Sequence, residues 1–305
     1  MPDHRQVDVL ICTFRRESVV DTLRSIAGQT LAREAFGVIV CDNDETPSAR
    51  ARVEGAARDL DLAVTYVHAP AQNISIARNA CLATSSAPMM AFIDDDAAAD
   101  PGWLQAYLDE MAASGADVLF GPVRAIYPPD APAWAVKADL HATRPEVQAD
   151  GTLKAGSTCN AMIRRSAVGE ARFDLALGKS GGEDTFFFDR LRQKGAVLRY
   201  CAGATMTEIA PLPRLKMAWL LKRSFRSGQT HGRLLIDHGH ARAPQIALAA
   251  LKAVASLGQA AVNAASPAGW RRAVVRGALH VGVVARLWGV KEPTLYGADA
   301  EPNRR

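Results

Sequence analysis

The chain has 305 residues, of which 49% are hydrophobic and 22% charged. This excludes a largely disordered protein and suffices for one large domain with an appendage, or for two small domains. The net charge of +4 conceals an asymmetry: residues 1–211 hold 21 Lys and Arg against 28 Asp and Glu, and residues 212–305 hold 15 against 4. Five scattered cysteines without a CxxC spacing argue against a structural zinc site, and the start of the sequence shows no signal-peptide pattern. We therefore expect a cytoplasmic protein.

Short apolar runs alternate with helical periodicity over the first 123 residues. The predicted strands are Val7–Cys12, Phe36–Cys41, Ala63–His68, Met89–Ile93 and Val118–Val123. The helices predicted between them are Arg16–Gln29, Ser48–Asp59, Ile74–Ala83 and Pro101–Ala113. This alternation favours an α/β fold with a mostly parallel central sheet flanked by helices. No GxGxxG follows the first strand, which weighs against a dinucleotide-binding Rossmann fold.

The second half of the sequence is less regular. The stretch Tyr127–Gly156 is rich in Pro and Ala, lacks a clear period, and is predicted to be a long functional loop. Further predicted elements are a strand at 157–164, a Gly-rich loop at 178–182, a helix at 183–194, a strand at 196–202, a basic amphipathic helix at 214–237 and helices within 245–290 that break at Ser266-Pro267. We expect one domain over residues 1–235 and a basic, apolar helical extension over residues 236–305.

The basic C-terminal third predicts an anionic partner. Because no nucleic-acid-binding motif is present, membrane lipid is preferred to nucleic acid, and a merely solvated basic face remains the alternative. The longest uncharged run, Ala253–Trp270, contains Ser, Gln, Asn and Pro, so it predicts no membrane span. A helix lying in the membrane interface with Trp270 and Trp288 as anchors, or a helical pair packed on the body, fits equally well.

Three consecutive carboxylates, Asp94–Asp96, directly follow the fourth predicted strand. Such like charges repel one another unless a divalent cation or another positive group offsets them. Other polar side chains also follow predicted strands: Thr13, Asp42 and Asp44. Helix capping could explain any one of them, but the carboxyl ends of parallel strands meet in one crevice. The pattern therefore predicts a metal-dependent site for a ligand that carries phosphate.

Arg78 lies in the segment that follows the third predicted strand, within Ala77-Arg78-Asn79. Its guanidinium matches the geometry of a diphosphate, and a surface salt bridge is the alternative. Asn73 is predicted to cap the helix that contains Arg78 and to orient the same loop.

Four segments in order, Ile-Cys-Thr-Phe-Arg-Arg, Val-Cys-Asp-Asn-Asp, Asn-Ile-Ser-Ile-Ala-Arg-Asn and Phe-Ile-Asp-Asp-Asp, resemble those of the family 2 glycosyltransferases of GT-A fold. The resemblance covers roughly residues 6–230 and is greatest to the branch that makes bacterial exopolysaccharides. It implies inverting transfer of a sugar from a nucleotide-diphosphate sugar, a UDP-sugar being expected. The residues it implies in nucleotide-sugar binding are Thr13, Arg15, Asp42, Asp44, Asn73, Arg78, Asp94 and Asp95.

The resemblance also implies a Mn²⁺ or Mg²⁺ ion, with Asp96 as the preferred direct ligand and Asp94 beside it. Many members carry a His after the next strand, whereas this chain has Thr205-Met206-Thr207-Glu208 there. Glu208 is then the nearest potential ligand, and its oxygen chemistry suits either ion. An ion pair between Glu208 and Arg214 is the alternative.

The segment Gly181–Thr185 is similar to the family's Glu-Asp motif, which supplies the general base. Inversion needs a carboxylate to take the proton of the attacking hydroxyl, and Asp184 is the candidate. Glu183 would lie beside it as an acceptor contact; the alternative is that both acids complement a helix dipole. Arg223 and Arg226, three residues apart, would stabilise the leaving diphosphate or hold a lipid-diphosphate acceptor.

The sequence thus predicts an inverting glycosyltransferase that acts on a glycan or lipid-linked acceptor in cell-surface polysaccharide synthesis, at the inner face of the membrane. Two other classes remain open. A sugar-nucleotidyltransferase would also use acidic strand ends, but it needs a glycine-rich basic loop that Thr13–Glu17 lacks. A non-catalytic module that binds nucleotide sugars or glycans would keep the fold without needing Asp184.

Overall fold

The computed structural model describes residues 5–143 and 145–292, so the outermost ends of the two predicted domains lie outside the described residues. The strands are β1 Val7–Thr13, β2 Phe36–Asp42, β3 Val64–His68, β4 Met89–Ile93, β5 Ala97–Ala99, β6 Val118–Phe120, β7 Val123–Ile126, β8 Asn160–Arg164, β9 Leu198–Tyr200 and β10 Met206–Ile209. The helices are α1 Val19–Ala27, α2 Arg50–Asp59, α3 Ile74–Thr84, α4 Trp103–Ser114, α5 Ala133–Ala138, α6 Arg165–Val168, α7 Glu183–Gln193, α8 Met217–Asp237, α9 Arg242–Val262 and α10 Pro267–Leu287.

Seven strands form the central sheet in the order β3-β2-β1-β4-β8-β6-β9. The pairs β1–β2, β1–β4, β2–β3 and β6–β9 are parallel, and only β8 runs against its two neighbours. The predicted α/β architecture with a mostly parallel sheet is therefore confirmed. Because β2, β1 and β4 are adjacent and parallel, their carboxyl ends meet at one edge of the sheet.

The core has two halves, one on each face of the sheet, as the alternation of side chains along a strand requires. On one face, Val9 and Val38 pack with residues of α1, α2 and α4. On the other face, Leu10 and Ile39 pack with residues of α3 and α7. Helices cover both faces, so every residue of β2 is buried. This explains why the strands appear in the sequence as continuous apolar runs rather than alternating ones.

The structure corrects two of the expected elements. The strand predicted over Val118–Val123 is divided: β6 ends at Phe120, and after Gly121-Pro122 the chain continues as β7 in a second sheet of order β5-β10-β7. Proline supplies no N–H to a ladder, which accounts for the break. The loop predicted over Tyr127–Gly156 contains the short helix α5. The strands β5 and β10 were not anticipated. Strand β5 consists of three alanines, and alanine has little strand preference.

By backbone contacts the described chain divides into two compact units. The first takes in residues 5–124 and 142–208, and the second takes in 125–141 and 209–292. Helix α8 runs continuously through residue 235, where the sequence places a domain boundary. That boundary remains a prediction.

The second unit is built on three helices of equal length, α8, α9 and α10. Helices α8 and α10 approach closely because Gly228 faces the carbonyl oxygen of Leu279 and Gly282 faces that of Phe225, where a Cβ atom would overlap the backbone. Ser224 also donates a hydrogen bond of 2.6 Å to the carbonyl of Val275. Among the described helices, α9 alone is long and apolar enough to cross a membrane by length and composition, and 17% of its most apolar window is buried.

Candidate active site

The three consecutive carboxylates lie at the carboxyl end of β4, next to the end of β1. Thr13, the last residue of β1, donates a hydrogen bond of 2.7 Å to Oδ2 of Asp95. Arg16 approaches from the loop after β1: its Nη1 contacts Oδ2 of Asp96 and lies 3.4 Å from Oδ1 of Asp95. Two cationic or polar groups therefore hold Asp95 and Asp96 in a fixed arrangement.

Burial is the largest influence on the pKa values of Asp94 and Asp95. It raises the pKa of Asp94, while the charge of Arg78 opposes the rise and that of Asp96 adds to it. It also raises the pKa of Asp95 to about 7, against the opposing charge of Arg16 and the hydrogen bond from Thr13. A positively charged ligand bound at the cluster would stabilise both carboxylates and lower their pKa values.

A buried ion pair lies beside the cluster. Arg78, on α3, contacts Oε1 of Glu183 at the start of α7, and the side chains are 11% and 6% exposed. The ring of Phe173 lies 5.6 Å from the guanidinium. Burial would lower the pKa of Arg78, but the charges of Glu183, Asp184 and Asp94 outweigh it and raise that pKa. The structure thus places Arg78 among three carboxylates, as their common counter-ion.

Asp184 is the second residue of α7, which Glu183 begins directly after two glycines in the left-handed region, Gly181 and Gly182, with φ of 84° and 88°. A residue with a Cβ atom rarely adopts this conformation. Ser157 donates a hydrogen bond of 2.6 Å to Oδ2 of Asp184, and the backbone N–H of Thr185 donates one of 2.7 Å to Oδ1. The carboxylate is therefore oriented from two sides and remains partly exposed.

Carboxylates from three separate elements converge around one thiol. The pKa of Cys159 is raised to about 12, first by burial and then by the charges of Asp94, Asp184 and Glu208. Glu208 lies on β10 opposite Ala97, the residue after Asp96. In the sequence Asp94 lies 90 residues before Asp184 and 114 before Glu208, and the fold brings them into one crevice.

Asp42 and Asp44 organise the loop after β2. Asp42 is fully buried, and its carboxylate accepts hydrogen bonds from the Tyr66 hydroxyl at 2.7 Å, from the Ala49 N–H at 2.8 Å and from the Asp44 N–H at 3.0 Å. Asp44 forms an ion pair of 2.8 Å with Arg15. Burial would raise the pKa of Asp44, but hydrogen bonds led by that from Arg15 lower it.

Asn73 caps α3 as predicted: its side-chain oxygen accepts from the backbone N–H of Ser75 at 3.0 Å. The same side chain donates to the carbonyl of Leu175 at 3.0 Å. Asn79, six residues further along the chain, exchanges two hydrogen bonds of 2.9 and 2.8 Å with the backbone of Phe173. Helix α3 therefore fixes the loop that leads to Glu183 and Asp184.

Arg223 and Arg226 belong to the second unit, on α8. Both are partly exposed, and the Arg223 guanidinium lies 5.5 Å from the ring centroid of Trp219.

Sequence reasoning missed several residues that shape the site. They are Arg16, Asn79, Ser157 and Cys159. Arg16 could have been predicted from the sequence, because two successive arginines follow β1 and only the first was assigned a role. Ser157 and Cys159 gave no signal, since nothing in their local sequence indicates a partner 25 or more residues away.

The donor chemistry of the crevice fits a hard divalent cation. Its charged side chains are Asp94, Asp95, Asp96, Glu183, Asp184 and Glu208, against Arg16 and Arg78. Within the part of the chain that the structure describes, no three acidic, His or Cys side chains form a ready-made metal shell. Mg²⁺, however, is commonly held by one or two carboxylates together with substrate phosphates and water. Of the residues present, Asp96 and Asp94 would hold the ion, with Glu208 adjacent.

Comparison with known proteins agrees with this geometry. The model of the family "Glycosyl transferase family 2" matches residues 8–171. The chain is 45% identical over 297 residues to the succinoglycan biosynthesis protein ExoM of Rhizobium meliloti (strain 1021), and the match covers 96% of each chain.

Two solved structures show the same fold. The mannosyltransferase PcManGT from Pyrobaculum calidifontis, in complex with GDP-Man and Mn²⁺, superposes with a TM-score of 0.64 at 19% identity, over 94% of this chain and 89% of that one. TarS 1–349 of S. aureus, in complex with UDP, gives a TM-score of 0.53 at 14% identity, over 89% and 90%. The expected GT-A-type fold is confirmed, and the chain belongs to glycosyltransferase family 2.

Proposed function

We propose that this enzyme is a metal-dependent, inverting glycosyltransferase that transfers a sugar from a nucleotide-diphosphate sugar, a UDP-sugar, to a glycan or lipid-linked acceptor during exopolysaccharide synthesis. The observation that carries the proposal is the position of Asp184. Its carboxylate is oriented by Ser157, stands next to the buried Arg78–Glu183 pair, and converges with Asp94 on Cys159. The name of the relative from Rhizobium meliloti supports the exopolysaccharide context.

The strand-end crevice would bind the donor. Thr13 and the loop held by Asp42, Asp44 and Arg15 lie at the ends of β1 and β2, where a nucleoside would fit. Asp42 would accept from the nucleobase, although three chain donors already contact its carboxylate in the structure. Arg78, Asn73, Asp94 and Asp95 complete the donor site. GDP-Man and UDP in the related folds support a nucleotide-diphosphate ligand.

Asp184 would act as the general base. As the acceptor oxygen forms its bond to the anomeric carbon, its proton moves to a carboxylate oxygen of Asp184, and the bond from the anomeric carbon to the diphosphate breaks on the opposite face. The hydrogen bond from Ser157 holds Oδ2, so the carboxylate need not reorganise during the step. Glu183 would contact the acceptor through Oε2, which is buried and has no hydrogen-bond partner among the described residues.

Asp96 and Asp94 would hold a Mn²⁺ or Mg²⁺ ion, with Glu208 as a further oxygen ligand. When bound, such an ion supplies positive charge that stabilises the departing diphosphate. The Mn²⁺ in the structure of PcManGT supports a divalent ion in this fold. Arg223 and Arg226 would stabilise diphosphate charge or hold a lipid-diphosphate acceptor.

The helical second unit would attach the enzyme to the inner face of the membrane. Leu251, Val254 and Leu257 of α9 are 66%, 65% and 59% exposed, so α9 presents an uncovered apolar face. Neither α9 nor α10 contains an acidic residue, and residues 212–292 hold thirteen Lys and Arg against two acidic residues. An apolar face bordered by basic residues suits an anionic lipid surface.

Membrane attachment is tested by sedimentation with vesicles. The protein should sediment with phosphatidylglycerol-containing vesicles and less with pure phosphatidylcholine, and Leu251→Glu should reduce the bound fraction at least fivefold. Equal sedimentation of Leu251→Glu and the wild type would refute a role for this face.

The transferase function is tested with a panel of UDP- and GDP-sugars, with Mn²⁺, with Mg²⁺ or with EDTA. Release of nucleoside diphosphate and an acceptor product whose anomeric configuration is opposite to that of the donor are expected only with a divalent ion. Retained configuration would contradict the inverting mechanism. Binding of nucleotide sugar without any turnover across acceptors would favour a non-catalytic module.

A further inference from the structure

Arg15 and Arg16 are adjacent in the sequence but contact acids on opposite sides of β1. Arg15 has φ of 55°, a left-handed conformation that is uncommon for a residue with a side chain. It pairs with Asp44 after β2, whereas Arg16 pairs with Asp95 and Asp96 after β4. Strands β2 and β4 flank β1 in the sheet. The loop thus places one cation at the nucleoside side of the crevice and the other at the carboxylate cluster.

The guanidinium of Arg16 contacts Asp96, one of the two aspartates that the proposed function assigns to the metal, and also approaches Asp95. Its Nη1 contacts Oδ2 of Asp96 and lies 3.4 Å from Oδ1 of Asp95, whose other oxygen is held by Thr13. The side chain of Arg16 is 39% exposed, while those of Asp95 and Asp96 are 9% and 24% exposed. Arg16 therefore covers the cluster from the solvent side.

We propose that Arg16 is a positioning residue that competes with the divalent cation for Asp96 and gives way only when a diphosphate is present to accept its charge. This inference rests on the proposed metal and diphosphate site. Asp96 cannot pair with Arg16 and hold a cation through the same oxygen, so a metal that binds there alone must displace the guanidinium from Asp96 and leave it only the longer contact with Asp95. A diphosphate removes that cost, because guanidinium pairs well with phosphate oxygens.

The arrangement couples the two ligands. In the wild-type protein, Mn²⁺ should bind weakly alone and much more tightly with the nucleoside diphosphate, and the diphosphate should gain affinity by the same factor. Such coupling would keep metal out of the empty site and make the loaded site depend on the donor.

The test measures Mn²⁺ binding directly, by the electron paramagnetic resonance signal of free Mn²⁺, with and without UDP or GDP, whichever stabilises the wild-type protein against heat. Arg16→Gln should bind Mn²⁺ alone at least about tenfold more tightly than the wild type, because no cation competes for Asp96. The same variant should bind the diphosphate at least about fivefold more weakly, so the coupling factor falls.

Three controls separate this role from a structural one. Arg16→Lys keeps the charge and should stay within about threefold of the wild type in both affinities. Arg15→Gln removes a neighbouring charge that pairs with Asp44, and it should leave the affinity for Mn²⁺ alone within about threefold. A merely misfolded loop would weaken both ligands together. The thermal midpoint of each variant, compared with that of the wild type, reports folding.

Unchanged Mn²⁺ affinity in Arg16→Gln, when the wild type binds Mn²⁺ more tightly with the diphosphate, would overturn the competition and leave the proposed function intact. Absence of Mn²⁺ binding in every protein, even with a diphosphate bound, would overturn the metal site and this inference with it.

Discussion

Removal of Arg78 from its buried pair with Glu183 should destabilise the protein by an amount that depends on pH. Arg78→Met leaves the Glu183 carboxyl buried without its counter-ion. Oε2 of Glu183 has no other hydrogen-bond partner among the described residues, and Oε1 contacts Arg78. Because burial already raises the pKa of Glu183 and Arg78 opposes that rise, the variant should hold Glu183 protonated at neutral pH.

The magnitude follows from proton linkage. In the unfolded chain Glu183 loses its proton above a pKa of about 4.3, and each further pH unit at which the folded state keeps the proton costs about 1.4 kcal/mol. The loss of stability is then at most about 3.7 kcal/mol at pH 7 and about 1 kcal/mol at pH 5. Loss of the Phe173 contact adds roughly 0.5–1 kcal/mol at either pH. The destabilisation therefore grows as pH rises.

The assay is urea unfolding of Arg78→Met and the wild type at both pH values, with Arg124→Met as the matched control. Arg124 pairs with Asp100 at 2.6 Å, but both side chains are exposed, so its loss should cost at most about 1 kcal/mol at either pH. Adding Glu183→Leu to Arg78→Met should recover much of the stability. Equal destabilisation by Arg78→Met at pH 5 and pH 7 would refute the reasoning.

Three further predictions concern stability elsewhere in the chain. The pKa of His141 is lowered to about 4, first by burial and then by the charge of Arg223. The free energy of unfolding should therefore decrease as pH falls from about 6.5 to about 4. His141→Gln should reduce this decrease by roughly 1–2 kcal/mol, measured by urea unfolding with tryptophan fluorescence as the signal. Gly282→Ala should destabilise the second unit by at least about 2 kcal/mol, because the new Cβ atom would overlap the backbone of Phe225. Gly258→Ala should stabilise it by up to about 1 kcal/mol, because no atom lies within 4 Å of the new Cβ atom. A change in the free energy of unfolding of the same sign for both variants would contradict the packing account. The Asn160 side chain makes four buried or partly buried hydrogen bonds of 2.7–3.0 Å. Asn160→Leu should therefore lower the free energy of unfolding by at least about 3 kcal/mol, measured by thermal unfolding. A decrease below about 1 kcal/mol would show that these bonds contribute little to stability.

Periodicity predicted most of the first unit well, because its strands are buried on both faces. Met89–Ile93 was placed to the residue, and β1 and β2 each extend one residue beyond the prediction. The reversed direction of β8 could not be predicted, because strand direction depends on long-range pairing that local sequence does not encode. The strand Ala97–Ala99 was missed because its residues prefer other structure, and only pairing with β10 forms it.

At the site, residue types and their position after strands predicted the members but not their pairing. Arg78 was expected near a diphosphate, and the structure gives it Glu183, more than a hundred residues away, as a partner. Arg16 was overlooked because it directly follows Arg15 in the sequence. The left-handed backbone of Arg15 lets the two side chains point to different acids, and the local sequence does not show this. Such contacts arise from tertiary structure, whereas strand-end acids follow from topology.

The role of Asp184 is the central claim, and Asp184→Asn tests it most directly. The substitution keeps the size of the side chain and its hydrogen bond with Ser157 while removing the basic oxygen. Single-turnover sugar transfer should fall by about a thousandfold or more, within the range of a lost general base together with its positioning, and the affinity for nucleoside diphosphate should stay within about threefold. Transfer within tenfold of the wild-type rate would contradict the assignment of Asp184 as the base.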